Sequence, residues 1–427
     1  MIFRQRPHWL FLFLIWFWAV PAAAQREPLD LMDAGLLAIR QHPSIVIRNE
    51  GILVADDELS ASQWQRFPSF GVDLNSALTR NSVAGQSSDQ NGATIRIQQP
   101  LWTAGRIDAE IEGARARRAA AEIDKRQAEQ DLLARVSEVY IENQRWRERL
   151  AVAKANVEEH RRLLELIERR SEQKVSSLAD LALAKARLQQ AVAEQLGFQM
   201  GEQKTLIHLS ELVGVQLGRN DLLSVASFGV QWPNLRDAQQ AAQAYSPRLL
   251  RLNSDVTLAR ADAAARRAAQ YPQLFLRYEK FSGGSQTISN NRLMVVLEYQ
   301  PGAGLGSWSV ASAAARRITM ADGAVDLGVR ELQERVADIF NDWQSYSVQR
   351  DTTQQYATAT RDVMDSSLRQ FTAGRKTWQE VLNAQREVAQ SAYSSIDIAQ
   401  GVILASYRLA ILTGELAAAS MREKKIK

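Results

Sequence analysis

The side chains able to do covalent or metal chemistry are few and scattered along this chain. The four histidines, His8, His42, His160 and His208, show no HExxH spacing, so no pair of them sits on one helix turn around a general base. Cysteine is absent, which removes disulfides, thiolate metal sites, thiol nucleophiles and Cys-linked lipid anchors together. Gly374-Arg375-Lys376-Thr377 echoes the end of a phosphate loop but lacks its earlier glycine, and a turn between helices is the better use of it. No acid, base and nucleophile converge, so the pattern points away from an enzyme and requires neither cofactor nor metal. Charge gives no other handle. The formal net charge is +4, and Arg and Glu alternate along helical stretches, as at Arg145, Arg147, Glu148, Glu158, Glu159, Arg161 and Arg162, so no basic face is set aside for nucleic acid.

The chain must therefore work through its elements. Arg4, Arg6 and His8 precede an apolar run from Trp9 to Val20, which Pro21-Ala22-Ala23-Ala24-Gln25 follows. That run is shorter than the ~20 residues a membrane helix needs. It reads as a signal peptide, residues 1–24, cleaved after Ala24 with Ala22 and Ala24 at the recognition positions. The mature chain is expected outside the cytoplasm. No later apolar run is long enough to cross, so a membrane location would require β-strands.

Internal duplication is the strongest pattern. Asp33-Ala34 recurs as Asp237-Ala238, Pro43 as Pro247, and Arg66-Phe67-Pro68 as Gln270-Tyr271-Pro272, all at an offset of 204 residues. Arg135-Val136-Ser137-Glu138-Val139-Tyr140 recurs as Arg335-Val336-Ala337-Asp338-Ile339-Phe340 at an offset of 200 residues. Two repeats result, 25–220 and 221–418, followed by a basic tail, 419–427. Each repeat reads as a helix, a β-hairpin, a long helix, a tip turn and a return helix. Repeat one places the hairpin at 69–101, the long helix at 102–171 and the return helix at 178–214. Repeat two places them at 273–300, 305–371 and 378–414. The first helices open with Asp30-x-x-Asp33 and Asn234-x-x-Asp237, N-caps with an acid at the third helical position, and end near Pro68 and Pro272.

After each proline the period changes from helical to alternating: Phe70, Val72 and Leu74 line one face, then Ile95 and Ile97, then Leu293, Val295 and Leu297. The loops between, Asn81 to Gly92 and Ser282 to Asn291, are rich in Gly, Ser, Asn and Gln. Two soluble hairpins on a helical protein would read alike, but four strands of about 9–11 residues suit a tilted membrane strand. The proline-free stretches that follow imply helices on the order of 100 Å long. Their seams, Leu132, Val136, Val139 and Trp146, and Leu332, Val336, Ile339, Trp343 and Tyr346, have coiled-coil spacing. Four strands cannot close a barrel, since an open edge in lipid leaves backbone groups unpaired, so several chains must pool their strands. Two chains would give eight strands and three would give twelve; only the larger ring leaves an appreciable lumen.

The chain resembles the TolC-type outer-membrane channel proteins over essentially its whole mature length. Gln99-Pro100-Leu101-Trp102-x-x-Gly105-Arg106 carries the resemblance at the strand-helix junction, and the run from Phe371 to Gln385 carries it at the second tip. The junction's copy at Gln300-Pro301 is degenerate. The resemblance implies an α+β membrane protein: a homotrimer whose twelve-stranded barrel in the outer-membrane lipid continues as an α-helical coiled-coil barrel through the periplasm. It also implies a tip closed by inward coiling and acidic rings, and those two acidic places fall on Glu380 and Asn383, of which the second is not acidic. Glu380 reads equally well as an N-terminal partner of the helix dipole. Asp180 is its copy-one equivalent. Gly374, Arg375, Lys376, Gln379 and Lys174 are expected at the tip as latch and adaptor contacts, and Pro100, Trp102, Gly105 and Pro301 at the junctions. The implied function is a passive exit duct recruited by a periplasmic adaptor (membrane fusion protein) and an inner-membrane pump. An ABC transporter of type I secretion, with an unfolded adhesin or toxin as cargo, is the first reading, because a chain without cysteine lacks the acylated N-terminus of many drug-efflux members. A drug-efflux pump is the second, and a periplasmic coiled-coil scaffold the third.

Overall fold

The computed structural model describes residues 28–75, 92–229, 232–283, 288–300, 303–304 and 306–416. The signal segment with Ala22 and Ala24, nearly all of the first hairpin loop, residues 284–287 of the second, Pro301 and the tail 419–427 lie outside the described residues.

Each repeat opens with two helices rather than one. Helices α1 (Leu31–Gln41) and α2 (Pro43–Trp64) meet at His42, and α5 (Leu235–Tyr245) and α6 (Pro247–Ala268) meet at Ser246. The single opening helix expected from the sequence is corrected here. A proline disfavours helical backbone in the residue before it, and His42 is extended (φ −68°, ψ 130°). Pro43 and Pro247 then serve as first residues of new helices, where their missing N–H costs nothing. Asp30 caps α1 by accepting from the Leu31 amide at 2.7 Å, and Asn234 caps α5 by accepting from Asp237 at 3.0 Å.

Four strands follow the opening helices in pairs: β1 (Ser69–Asn75), β2 (Gly92–Trp102), β3 (Gln273–Gly283) and β4 (Ile288–Glu298). They form one antiparallel sheet in the order β1-β2-β3-β4, so the hairpins of the two repeats are joined side by side through β2 and β3. The long helices are α3 (Arg106–Glu172) and α7 (Gly306–Thr372), 67 residues each and about 100 Å long. The return helices are α4 (Leu178–Val213) and α8 (Trp378–Thr413), 36 residues each, both ended by a left-handed glycine, Gly214 and Gly414. Trp102 lies in β2, not at a helix start, and α3 begins only after Ala104 and Gly105, whose left-handed backbone (φ 52° and 85°) no helix continues through.

The main core lies where α1, α3 and α4 meet. Leu31, Leu132, Val136, Tyr140, Leu209 and Val213 are buried there, and the Tyr140 hydroxyl reaches the carbonyls of Leu29 and Leu223, each at 2.8 Å. Those carbonyls flank a short parallel bridge between the chain start and the segment linking the repeats. Ala238, Val336 and Leu409 form the corresponding core of repeat two. Helix α8 is apolar enough over 18 residues to cross a membrane by length and composition. Part of its apolar surface faces protein: Val381, Leu382 and Leu409 are buried against the other helices.

Candidate functional site: sheet lining, junction and tip

Strand register sorts the sheet into two unlike faces. One row reads Phe70, Ile97, Tyr278, Leu293 across the four strands, and the next rows on that side add Val72, Leu74, Val295 and Leu297. Most of these side chains are exposed, Leu74 at 78% and Leu293 at 68%, and they form a largely apolar surface of the kind that meets lipid, with Lys280 and Asn291 the polar exceptions in the Val72 row. The opposite face is ionic. Arg96 pairs with Asp73 at 3.4 Å and with Glu279 at 3.2 Å, and Arg292 reaches the same Glu279 at 3.2 Å. Arg277 adds Gln98 at 2.9 Å and Glu298 at 3.8 Å. A sheet with one greasy and one charged face belongs between lipid and water, and its charges line the water side. The sequence reading left these lining residues out. Alternation showed that Arg96 lies opposite Ile95 and Ile97, but the pairing of charges needs the register of all four strands.

Below the sheet, the junction in repeat one is tied at three points. A register shift separates Pro100 from Trp102, and the left-handed Ala104 and Gly105 then turn the chain into α3. Nothing lies within 4 Å of a Cβ added at Gly105, so its glycine answers to backbone conformation alone. Asp108 holds Arg66 at 2.6 Å, Arg106 holds Glu110 at 2.7 Å and reaches Gln273 at 3.4 Å, and Gln99 donates to the Arg66 carbonyl at 2.9 Å. The first turn of α3 is thereby fastened to the entry of β1 and to the base of β3. Around this level Trp64, Phe67, Trp102, Tyr271 and Tyr299 are all exposed. Aromatic rings at one end of membrane strands mark the interface with headgroups.

At the far end of the long helices the two tips share one backbone. Lys174 and Gly374 are both left-handed (φ 59° and 72°), and the amides of Val175 and Arg375 each reach back 2.8 Å to the carbonyls of Arg170 and Gln370. Each return helix then opens with a capping box. The Ser177 amide and hydroxyl donate to Asp180 at 3.2 and 2.8 Å, and those of Thr377 donate to Glu380 at 2.7 and 2.8 Å. Hydrogen bonds from the Thr377 backbone and side chain, with Lys376 nearby, hold the Glu380 carboxyl below the usual glutamate range. Asp180 and Glu380 thus occupy equivalent places, and both are caps. Gln379, Asn383, Arg375 and Lys174 are exposed beside them, and Lys376 turns inward to donate to Ser367 at 3.0 Å. Sequence reasoning missed Arg170, which lies 4.8 Å over the Phe371 ring and joins the two tips, with Phe371 in turn 5.3 Å from Trp378. Its signal was faint: one of two arginines in the last turn of α3.

Residues 38–215, most of repeat one, match the family model described as outer membrane efflux protein. No curated protein matches by sequence. Among solved structures, CusC, described for conformational changes in folding and transmembrane channel formation, superposes with a TM-score of 0.80 at 16% identity, covering 90% of this chain and 92% of that one. A membrane protein from Pseudomonas aeruginosa gives 0.80 at 18% identity, covering 90% of each chain, and the outer membrane protein VceC from Vibrio cholerae gives 0.77 at 16%, covering 90% and 96%. The family pattern runs through repeat one, and the fold extends through repeat two. The resemblance to TolC-type outer-membrane channels is borne out, by the family model over residues 38–215 and by the fold over 90% of the chain.

Proposed function

We propose that the chain forms a homotrimeric exit duct, recruited at its periplasmic tip by an adaptor and an inner-membrane ABC transporter, through which an unfolded protein leaves the cell. The sheet carries this reading: four strands with an apolar outer face and an ionic inner face, open at both edges, joined to helices long enough to run deep into the periplasm. Three copies supply twelve strands and a lumen. The absence of cysteine, and hence of an acylated N-terminus, favours protein secretion. The efflux description of the matching family favours small molecules, and that is the second reading. At the tip, Glu380 is proposed as the charge that selects cations, with Asp180 and Asn383 near it and Gln379, Arg375, Lys376 and Lys174 meeting the adaptor.

Site-specific photo-crosslinking from Gln379 in living cells, followed by mass spectrometry, tests the assignment. Capture of an adaptor together with an ABC transporter is the expected result. Capture of a drug-efflux assembly replaces the first reading by the second.

A further inference from the structure

The long and return helices of the two repeats match residue for residue at an offset of 200, with 67 residues in α3 and in α7 and 36 in α4 and in α8. In each repeat a large aromatic ring rests on a glycine of the return helix. A Cβ added at Gly201 would come within 2.8 Å of the Trp146 ring, and one added at Gly401 within 2.9 Å of the Tyr346 ring. Repeat one completes its ring with cations. The guanidinium of Arg149 lies 5.6 Å and that of Arg145 5.8 Å from the Trp146 ring centroid, the indole N–H donates to Glu142 at 3.3 Å, and Glu142 holds Arg145 at 3.5 Å. Repeat two keeps the ring and the acid, as Tyr346 and Asp342, and replaces both cations. Ser345 and Gln349 stand in their places, and Gln349 donates to Ser345 at 2.8 Å along α7. Among the described residues no cation lies over the Tyr346 ring, and Asp342 has neither ion pair nor hydrogen bond.

Tyr346 and Asp342 line a cavity of about 430 Å³ between α3, α7 and α8. Its wall carries acceptors that lack donors. Gln400 is 4% exposed; its amide nitrogen donates to Glu148 at 2.9 Å, and its Oε1 has no partner among the described residues. Asp397 gives one oxygen to Arg149 and keeps a buried Oδ1 without a partner. Against these acceptors the buried Nε of Arg145 is an unpaired donor on the same wall. Glu138 and Glu142 bring the lining to four carboxylates against two guanidiniums, with Arg408 on Glu138 at 2.9 Å and Arg145 on Glu142. A bare aromatic ring, an unpaired carboxylate and buried acceptor oxygens all call for the same thing, a cation that donates hydrogen bonds. We propose that this cavity binds a small organic cation with a guanidinium or primary ammonium end, stacked on Tyr346 and donating to Asp342, Asp397 and Gln400, in the place that Arg145 and Arg149 hold over Trp146 in repeat one. The cavity is of a size for a small molecule, and its walls come from a single chain. The site therefore depends neither on the number of chains in the channel nor on the exported cargo.

Isothermal titration calorimetry of the full-length channel in detergent, with agmatine as the probe, tests the site. Saturable binding of one agmatine per chain is expected. Asp342→Asn should weaken it about tenfold and Tyr346→Leu about fivefold. Ser345→Arg combined with Gln349→Arg rebuilds the cover of repeat one from the chain itself. That double variant should abolish agmatine binding and raise the temperature of thermal unfolding, a gain that a misfolded variant cannot give. A peptide with one arginine and both ends blocked should bind more weakly than agmatine, because its backbone does not fit between the three helices. The absence of saturable heat with the unaltered channel overturns the site. An affinity unchanged in Asp342→Asn and in the double-arginine variant overturns it too, since the cation then binds elsewhere. Tighter binding of the peptide than of agmatine overturns the small-molecule assignment in favour of a protein side chain.

Discussion

The two tips share a plan and differ in what they bury. Lys174 and Gly374 adopt the same left-handed backbone, and Ser177–Asp180 and Thr377–Glu380 close the same capping box. One residue past each cap the copies part: Trp378 is 3% exposed and packed with Leu163 and Ile167, whereas Leu178 is 79% exposed. Position in the chain explains the contrast. Repeat two closes its tip against repeat one of the same chain, where Leu163 and Ile167 bury Trp378, and Leu178 has no such cover within the chain. Local backbone follows the repeated pattern, while burial follows the neighbours.

Trp378→Ala should have the largest effect, a loss of about 3–5 kcal/mol in urea denaturation of the purified channel. Leu178→Ala sharpens the comparison: a loss of about 2 kcal/mol is expected where the proposed homotrimer buries it. A change within about 0.5 kcal/mol would mark an exposed residue and break the parallel. The left-handed turn comes next. Gly374→Ala should cost about 1–2 kcal/mol, and Lys174→Gly, which relieves the same conformation in copy one, should gain about 0.5–1 kcal/mol in thermal unfolding. Glu380→Gln is the subtlest change, since glutamine still serves a capping box. Thermal stability should hold while bilayer recordings show weakened cation selectivity; unchanged reversal potentials would leave Glu380 as a cap alone. Because the folded state holds this carboxyl low, its contribution is complete above the ordinary glutamate range and fades as pH falls through the lowered value. Hydrogen exchange at the Thr377 amide should therefore stay slow below pH 4.5, the ordinary glutamate value.

Much of the fold was legible because prolines and repeats are local or periodic signals. Pro68 and Pro272 separate helix from strand, and the turn at Gly374 is announced by its own residues. The split of each opening helix was missed although its marks were present: Pro43 follows His42, whose ring accepts from the Ser44 amide at 3.2 Å, and Pro247 follows Ser246, which caps α6. A proline after a capping residue starts a helix rather than bending one. No proline intervenes after Trp102, so the sequence starts α3 there, and nothing in an alanine announces the left-handed Ala104. The ionic lining was illegible for a different reason. Asp73, Arg96, Glu279 and Arg292 come from four strands, and their meeting depends on a register that no single strand encodes.

The open edges of the sheet have a consequence for the life of the chain before it reaches its place. A lone copy carries unpaired backbone along β1 and β4 and an apolar face from Phe70 to Leu297, which neither water nor lipid accommodates while the edges stay open. The helical two-thirds can consolidate on its own contacts, but the strands complete their hydrogen bonding only when chains meet. In the proposed homotrimer, closure of the sheet therefore depends on the concentration of chains. At low synthesis the slow step is encounter between copies, and the unpaired strands are the part of the protein that waits.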